Sequence, residues 1–315
     1  MNRLIISGSL FSIVLGLCGL AQAWNVAVQL WHVSALFGEI IAISATLIWS
    51  ILLIVWLIKM VRIPHDIAHE LRQPLNSGTL ALPASATFLM VQTTFAWSHS
   101  IAWFLLGLGM LWHLTFSLWH TGAMWKGGHA SDQITPALYL PTVGGNFTAA
   151  FALATVGQPD WAWLFLGAGV CSWLALEPLI LRRVHTLELA AAQRPLLGIQ
   201  FAPSAVCAAA LIKIDPATPT PWLLMLLGYA LFQFTTALRI ADWMSEPTFA
   251  PQWWSYTFGL VTATTVCLKL ALQGVHSAHL ISIPLFVAVN LFTLWLTINL
   301  LFWVLKLIPR PKITI

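Results

Sequence analysis

The stretch LYLPTVGGNFTAAFAL, residues 138–153, holds the two properties that decide this fold. It is apolar enough to lie in a membrane. It also carries Pro141, Gly144, Gly145, Asn146 and Thr148, which suit a lipid-facing helix poorly. A proline inside a helix frees a backbone carbonyl, and in lipid that carbonyl needs a partner from protein or water. Small residues let helices approach closely or leave a bore between them. The stretch therefore reads as an inner helix of a helical assembly.

Working outward, the pattern recurs. LALPASATFLMVQTTF (80–95), GIQFAPSAVCAAAL (198–211) and SYTFGLVTATTV (255–266) are rich in small and hydroxyl residues, with Pro83, Pro203 and Gly259 as breakers. In FSIVLGLCGLA (11–21), Gly16 and Gly19 take the breaker's place. Between these lie stretches richer in Trp and Leu, such as WLLMLLGYALF (222–232) and LFTLWLTINLLFWVLKL (291–307). Proline and glycine are common in membrane helices generally, so the argument rests on the recurrence. Segments of about 20 mostly apolar residues span a bilayer. By that measure there are ten spans, near 5–24, 34–58, 79–96, 99–125, 138–156, 161–181, 197–213, 221–243, 253–273 and 279–307. The expected fold is one all-α integral membrane domain over residues 1–315, with no separate soluble domain. Its ten helices form five hairpins, the odd helices inside around one axis and the even helices outside.

Composition agrees. Of 315 residues, 59% are apolar and 8% charged, against about 25% charged in a soluble domain. Eighteen Trp and seventeen Phe suit bilayer interfaces. The net charge of +4 outlines no nucleic-acid surface. Cys18, Cys171, Cys207 and Cys267 lie in apolar stretches without CxxC spacing and read as small buried residues. On the ten-span count, twelve of the fourteen Lys and Arg fall on one side of the membrane, and Lys213 and Lys269 on the other. The positive-inside rule makes the first side cytoplasmic, with both termini there.

Phe258, Thr262, Thr265 and Lys269 are four, three and four residues apart and share one helix face. Two readings of that face stand. It lines a bore, with an aromatic plug, hydroxyls that hydrogen-bond an anion, and a cation at the outer mouth. Alternatively, Phe258 packs between helices and Lys269 snorkels to the interface. The Pro141–Thr148 tract likewise either lines a pathway or packs tightly with Asn146 bonded across it. Glu39 and Glu177 lie within outer spans near their ends, where structural pairing is expected. The pair His65/His69 lies in a charged link with no full metalloprotease motif around it, and His113/His120 has no nearby acid or cysteine. No metal, cofactor or catalytic constellation is expected.

The strings TPALYLPTVGGNFTAAFALATVG (135–157), FLGAGVCSWLALEPLILRR (165–183), LGIQFAPSAV (197–206) and WWSYTFGL (253–260) resemble the tellurite-resistance and C4-dicarboxylate transporter family, the TehA proteins. Plant guard-cell slow anion channels and fungal malate and sulfite transporters are more distant members. The resemblance runs over nearly the whole chain. It implies a quasi-fivefold ring of five hairpins, a homotrimer with one pore per protomer, and a phenylalanine of the ninth helix that occludes the pore. Phe258 matches that phenylalanine, and Pro83, Pro141 and Pro203 match the family's kinks. Val14 and Gly259 stand where some members carry proline.

The function expected is channel-like passage of small anions, oxyanions such as tellurite or dicarboxylates, through the inner membrane of a bacterium. A proton-coupled transporter working by alternating access is the alternative, and the lack of a row of acids across the membrane weakens it. The opening residues MNRLIISGSLFSIVLGLCGLAQAW look like a signal peptide ending at Ala21-Gln22-Ala23. Removing them would leave the second span without its inner partner, so they are expected to stay as the first pore helix. N-terminal sequencing of the purified protein is expected to show no start at Trp24.

Overall fold

The computed structural model describes residues 7–72, 77–128 and 130–307. Arg3, Arg310 and Lys312, used above for orientation, lie outside them. Every regular element among the described residues is helical. In chain order these are α1 (Phe11–Trp31), α2 (Leu36–Arg62), α3 (Pro64–Arg72), α4 (Leu82–Phe95), α5 (His99–Trp125), α6 (Gly145–Thr155), α7 (Pro159–Thr186), α8 (Leu197–Gln200), α9 (Pro203–Ile214), α10 (Thr220–Arg239), α11 (Ala241–Ser245), α12 (Ser255–Leu272) and α13 (His276–Leu307). Short 3-10 or π turns precede α1, α4, α6, α8 and α12.

Burial sorts the long helices into two sets. In the segments Gly8–Trp31, Pro136–Thr155, Ala191–Ile214 and Pro251–Leu272, 72–78% of the most apolar window is buried. In α2, α5, α7, α10 and α13 the share is 11–39%. Along α2, Ile40, Ile43, Leu47, Ile51 and Ile54 form an exposed apolar stripe at helical spacing. Such a stripe would aggregate in water and is at home in lipid.

Each buried helix packs against the exposed helix that follows it: α1 on α2, α4 on α5, α6 on α7, α9 on α10 and α12 on α13. The buried helices also meet one another in turn. Contacts run from α1 to α4, α4 to α6, α6 to α9, α9 to α12, and from α12 back to α1.

Nine segments among the described residues are long and apolar enough to cross a membrane, against ten expected. The difference is the span 79–96. It is helical, as the 3-10 turn Gly78–Ala81 running into α4. However, Thr87, Gln92, Thr93 and Thr94 make it more polar than the others. Its residues Leu82–Val91, Thr87 among them, are all buried, while Gln92, Thr93 and Thr94 are half-buried at its C-terminal end.

The prolines mark real interruptions. Pro83 sits in the first turn of α4, just after its 3-10 turn. Pro141 lies in the π turn Leu140–Gly144. Pro203 starts α9 after the non-helical pair Phe201 and Ala202. Gly259 does not break its helix as expected, and neither do Gly16 and Gly19, because α12 and α1 run through them. Glycine keeps its N–H and stays in the ladder, whereas proline cannot. What these glycines provide is close approach. A Cβ on Gly16 would come within 2.1 Å of the Thr257 hydroxyl, and one on Gly19 within 2.3 Å of Val261. A Cβ on Gly259 would meet the backbone of Ala202 at 3.0 Å. Cys18, Cys207 and Cys267 are buried, but Cys171 is exposed on α7.

Gly145 and Gly107 provide a matched test. A Cβ on Gly145 would stand 2.4 Å from the His113 ring, which is pinned by Asn146 at 3.0 Å. Gly107, on the exposed face of α5, has open space. Gly145→Ala is expected to destabilise the protein by about 1–3 kcal/mol. Gly107→Ala is expected to be neutral or slightly stabilising. Thermal unfolding of both variants in detergent checks the contrast.

Candidate functional site

Three small cavities lie among the buried helices. The first, about 40 Å³, is lined by Ser9, Ser12, Thr79, Gln252 and Ser255 with apolar neighbours, near the N-terminal ends of these helices. The second, about 30 Å³, touches Ser85, Tyr139, Gly144, Thr148 and Pro203. The third, about 20 Å³, lies toward the helix C-terminal ends, between Gly19, Gln22, Thr148, Phe151, Thr262 and Thr265. Phe258 lines all three, and no other described residue does so. A water needs roughly 10–15 Å³ of such space. Each cavity therefore has room for a few waters at most and none for a hydrated anion.

The residues singled out in the sequence divide into two groups. Phe258, Gly144, Thr148, Pro203, Thr262 and Thr265 meet at the cavities. Gly16, Gly145 and Gly259 lie at helix contacts instead, and Pro83 and Pro141 at the helix interruptions. Lys269 is in the last turn of α12, one turn beyond Thr265. The Pro141–Thr148 tract serves both readings at once. Gly144 and Thr148 face a cavity, while Asn146 bonds across to His113 on α5 and donates to the Thr142 carbonyl.

The threonine hydroxyls are engaged along their own helices. Thr262 donates to the carbonyl of Phe258 at 2.6 Å, and Thr265 to that of Val261 at 2.9 Å. Thr148 donates to Gly144 at 2.8 Å. A hydroxyl has one hydrogen to give, so in this conformation these side chains present oxygen lone pairs to the cavities. A change of χ1 rotamer is needed before any of them donates to an anion.

The turn before Phe258 is tied down on the opposite side. Ser255 donates to the Pro195 carbonyl at 2.5 Å, and Tyr256 to the Arg194 carbonyl at 2.9 Å. Arg194 itself is buried. It pairs with Glu246, reaches Glu188 at 3.4 Å, donates to the Trp243 carbonyl at 2.8 Å, and stacks 4.3 Å from the Trp243 ring. The sequence reading had counted Arg194 only for orientation. It also missed the cavity face of α1, although Ser12, Leu15, Gly19 and Gln22 are spaced three, four and three apart, a signal as clear as the one on α12.

Glu39 lies exposed in the first turn of α2, where the helix dipole favours an acid. Among the described residues the Glu39 side chain has no partner, against the pairing expected, because it faces outward; Glu177 is paired as expected. Its carboxylate accepts from Tyr139 at 2.5 Å, Trp173 at 2.7 Å, Gln200 at 3.0 Å and the hydroxyl of Tyr229. All four donors are neutral. Tyr139 precedes the π turn at Pro141, and Gln200 precedes the break at Pro203. One carboxylate on α7 therefore holds two interrupted segments and α10. Among the described residues no three His, Cys, Asp or Glu gather into a metal-sized group.

Paired helices with lipid-facing apolar surfaces, interrupted inner segments and a string of small internal cavities define a multi-pass membrane protein of the channel and transporter class. The chain belongs to the voltage-dependent anion channel family (SLAC1), whose model matches residues 6–301. It is 30% identical over 270 residues to a Haemophilus influenzae protein named tellurite resistance protein TehA homolog. That match covers 84% of this chain and 82% of the relative, in line with the resemblance seen in the sequence.

The Glu177 cluster is expected to be structural and costly to break. Glu177→Ala leaves two hydroxyls, an indole N–H and an amide without their acceptor and should cost about 2–3 kcal/mol, whereas Tyr139→Phe removes the bond to Glu177 and a longer one accepted from Gln200 at 3.3 Å, leaves Gln200 on the carboxylate, and should cost about 1 kcal/mol. Unfolding of the two variants in mixed detergent micelles measures the difference.

Proposed function

We propose that this protein conducts small anions across a bacterial inner membrane along the axis of its buried helices, with Phe258 closing the path. One observation carries the reading: Phe258 is the residue that borders all three cavities. The circuit of contacts through α1, α4, α6, α9 and α12 supports ten transmembrane helices arranged as five hairpins in a quasi-fivefold ring. In this arrangement the span 79–96 crosses the membrane with Leu82–Val91 inside the ring and its polar residues Gln92, Thr93 and Thr94 at the end of the helix, toward the membrane surface. The positive side, with both chain ends, faces the cytoplasm, and protomers associate as the homotrimer that the family resemblance implies.

The cavity walls are mainly apolar and hydroxyl-bearing, with Pro83, Pro141 and Pro203 loosening the inner helices. Passage requires the Phe258 ring to swing aside and join the separate cavities. Rotation of the Thr262 and Thr265 hydroxyls away from their own helix then turns donors toward the anion, replacing part of its hydration. Oxyanions such as tellurite and dicarboxylates are the substrates this reading favours, the first by the name of the Haemophilus relative. No covalent chemistry is involved.

Replacing the ring by a methyl group tests the gate. Phe258→Ala in liposomes is expected to raise anion flux about tenfold or more, equivalent to removing roughly 1.4 kcal/mol or more from the barrier. Unchanged flux in a well-folded variant overturns the assignment.

A further inference from the structure

The outer ends of two inner helices carry a pair of charges that the gate does not use. Lys213 lies in the last turn of α9 and Lys269 in the last turn of α12, and these helices are in contact. Each lysine stands four residues beyond a wall of the third cavity, Ala209 and Thr265 respectively, and so shares that wall's helix face. The ammonium of Lys213 lies 5.9 Å from the centroid of Phe151, another wall of the same cavity. Ala209 and Thr265 border the same cavity of about 20 Å³, so the two lysine positions, one turn further on, lie on adjoining helix faces.

Among the described residues no compensating acid is paired with either one, and neither lysine is in an ion pair. Asp215, two residues from Lys213, accepts the N–H of Ala217 at 2.9 Å within its own turn. Helix C-termini favour a cation modestly, and long side chains snorkel to the interface. Neither effect explains why the two basic residues outside the charge-rich side both fall on inner helices, side by side. Like charges held together oppose each other unless an anion joins them.

We propose that Lys213 and Lys269 form an outer binding site for a doubly charged anion, and that this site makes the pathway prefer dianions over monovalent anions. The proposal rests on the anion-transport reading above and adds the charge class of the substrate. A dianion gains attraction from both lysines through each of its charges, and the gain fades as salt screens it. Inorganic oxyanions and dicarboxylates share this chemistry.

Binding and flux together test it. Purified protein in nanodiscs is titrated with sulfate, succinate or chloride at constant ionic strength, and thermal stability is followed. The dianions are expected to raise the melting temperature at concentrations where chloride does not. Apparent dianion affinity should fall about tenfold in Lys213→Gln and in Lys269→Gln, and to the chloride level in the double variant. Lys269→Arg should keep the response. A response to sulfate alone supports an oxyanion site, and one to succinate alone supports a dicarboxylate site. Equal dianion responses in the parent and the double glutamine variant, or no dianion response in the parent, overturn the proposal. Flux through Phe258→Ala liposomes separates it from the conduction reading. If lysine-dependent binding persists while no anion passes, conduction fails and the site stands. If anions pass with the same sulfate-to-chloride ratio whether or not the lysines are present, the site fails and conduction stands.

Discussion

A bilayer core offers backbone amides no hydrogen-bond partner, and this constraint orders the molecule. Any residue that interrupts a helix must be placed where protein or trapped water can take up the freed groups. The interruptions at Pro83, Pro141 and Pro203 all lie in the buried layer. Beside them, side chains serve the backbone: Thr87 donates to the Pro83 carbonyl at 2.8 Å, and Asn146 to that of Thr142 at 2.5 Å. The exposed layer contains prolines as well, Pro178 and Pro284, yet α7 and α13 continue through them. The breaks at these three prolines thus sit where the backbone can be satisfied, and the exposed helices run long.

Much of this was legible because a membrane simplifies the code. Length and apolarity marked the spans, and proline with small residues marked which of them are buried. The span 79–96 sits at the limit, since a helix buried over Leu82–Val91 can carry Thr87 inside protein and Gln92, Thr93 and Thr94 at its half-buried end. Gly259 was misread as a break, because glycine in sequence looks the same whether it kinks a helix or admits a neighbour. Of the partners of Glu177, only Trp173, one turn away on α7, lies at a spacing that the sequence shows. Tyr139, Gln200 and Tyr229 stand 38, 23 and 52 positions away, and no periodicity links positions on different helices. The direction in which a threonine hydroxyl points is equally invisible in sequence. Here it decides whether α12 offers the cavities donors or acceptors.

Two polar joints tie together segments that are distant in sequence. Glu177 gathers the segments just before Pro141 and Pro203, and Arg194 gathers the turn that leads into Phe258. Hydrogen bonds at low dielectric are individually strong and costly to leave unmade. Such joints fix the positions of segments whose own helical ladders are broken.

The outer helices differ greatly in length. α13 has 32 residues and α10 has 20, about 48 Å and 30 Å at 1.5 Å per residue. The hydrocarbon core is about 30 Å thick. One helix matches it upright, while the other must lean or carry its ends into the headgroup region. No single bilayer thickness suits both, so lipid chain length acts on α13 and α10 unequally. Because α13 packs directly on α12, the helix that carries Phe258 is one contact away from the thickness of the surrounding membrane.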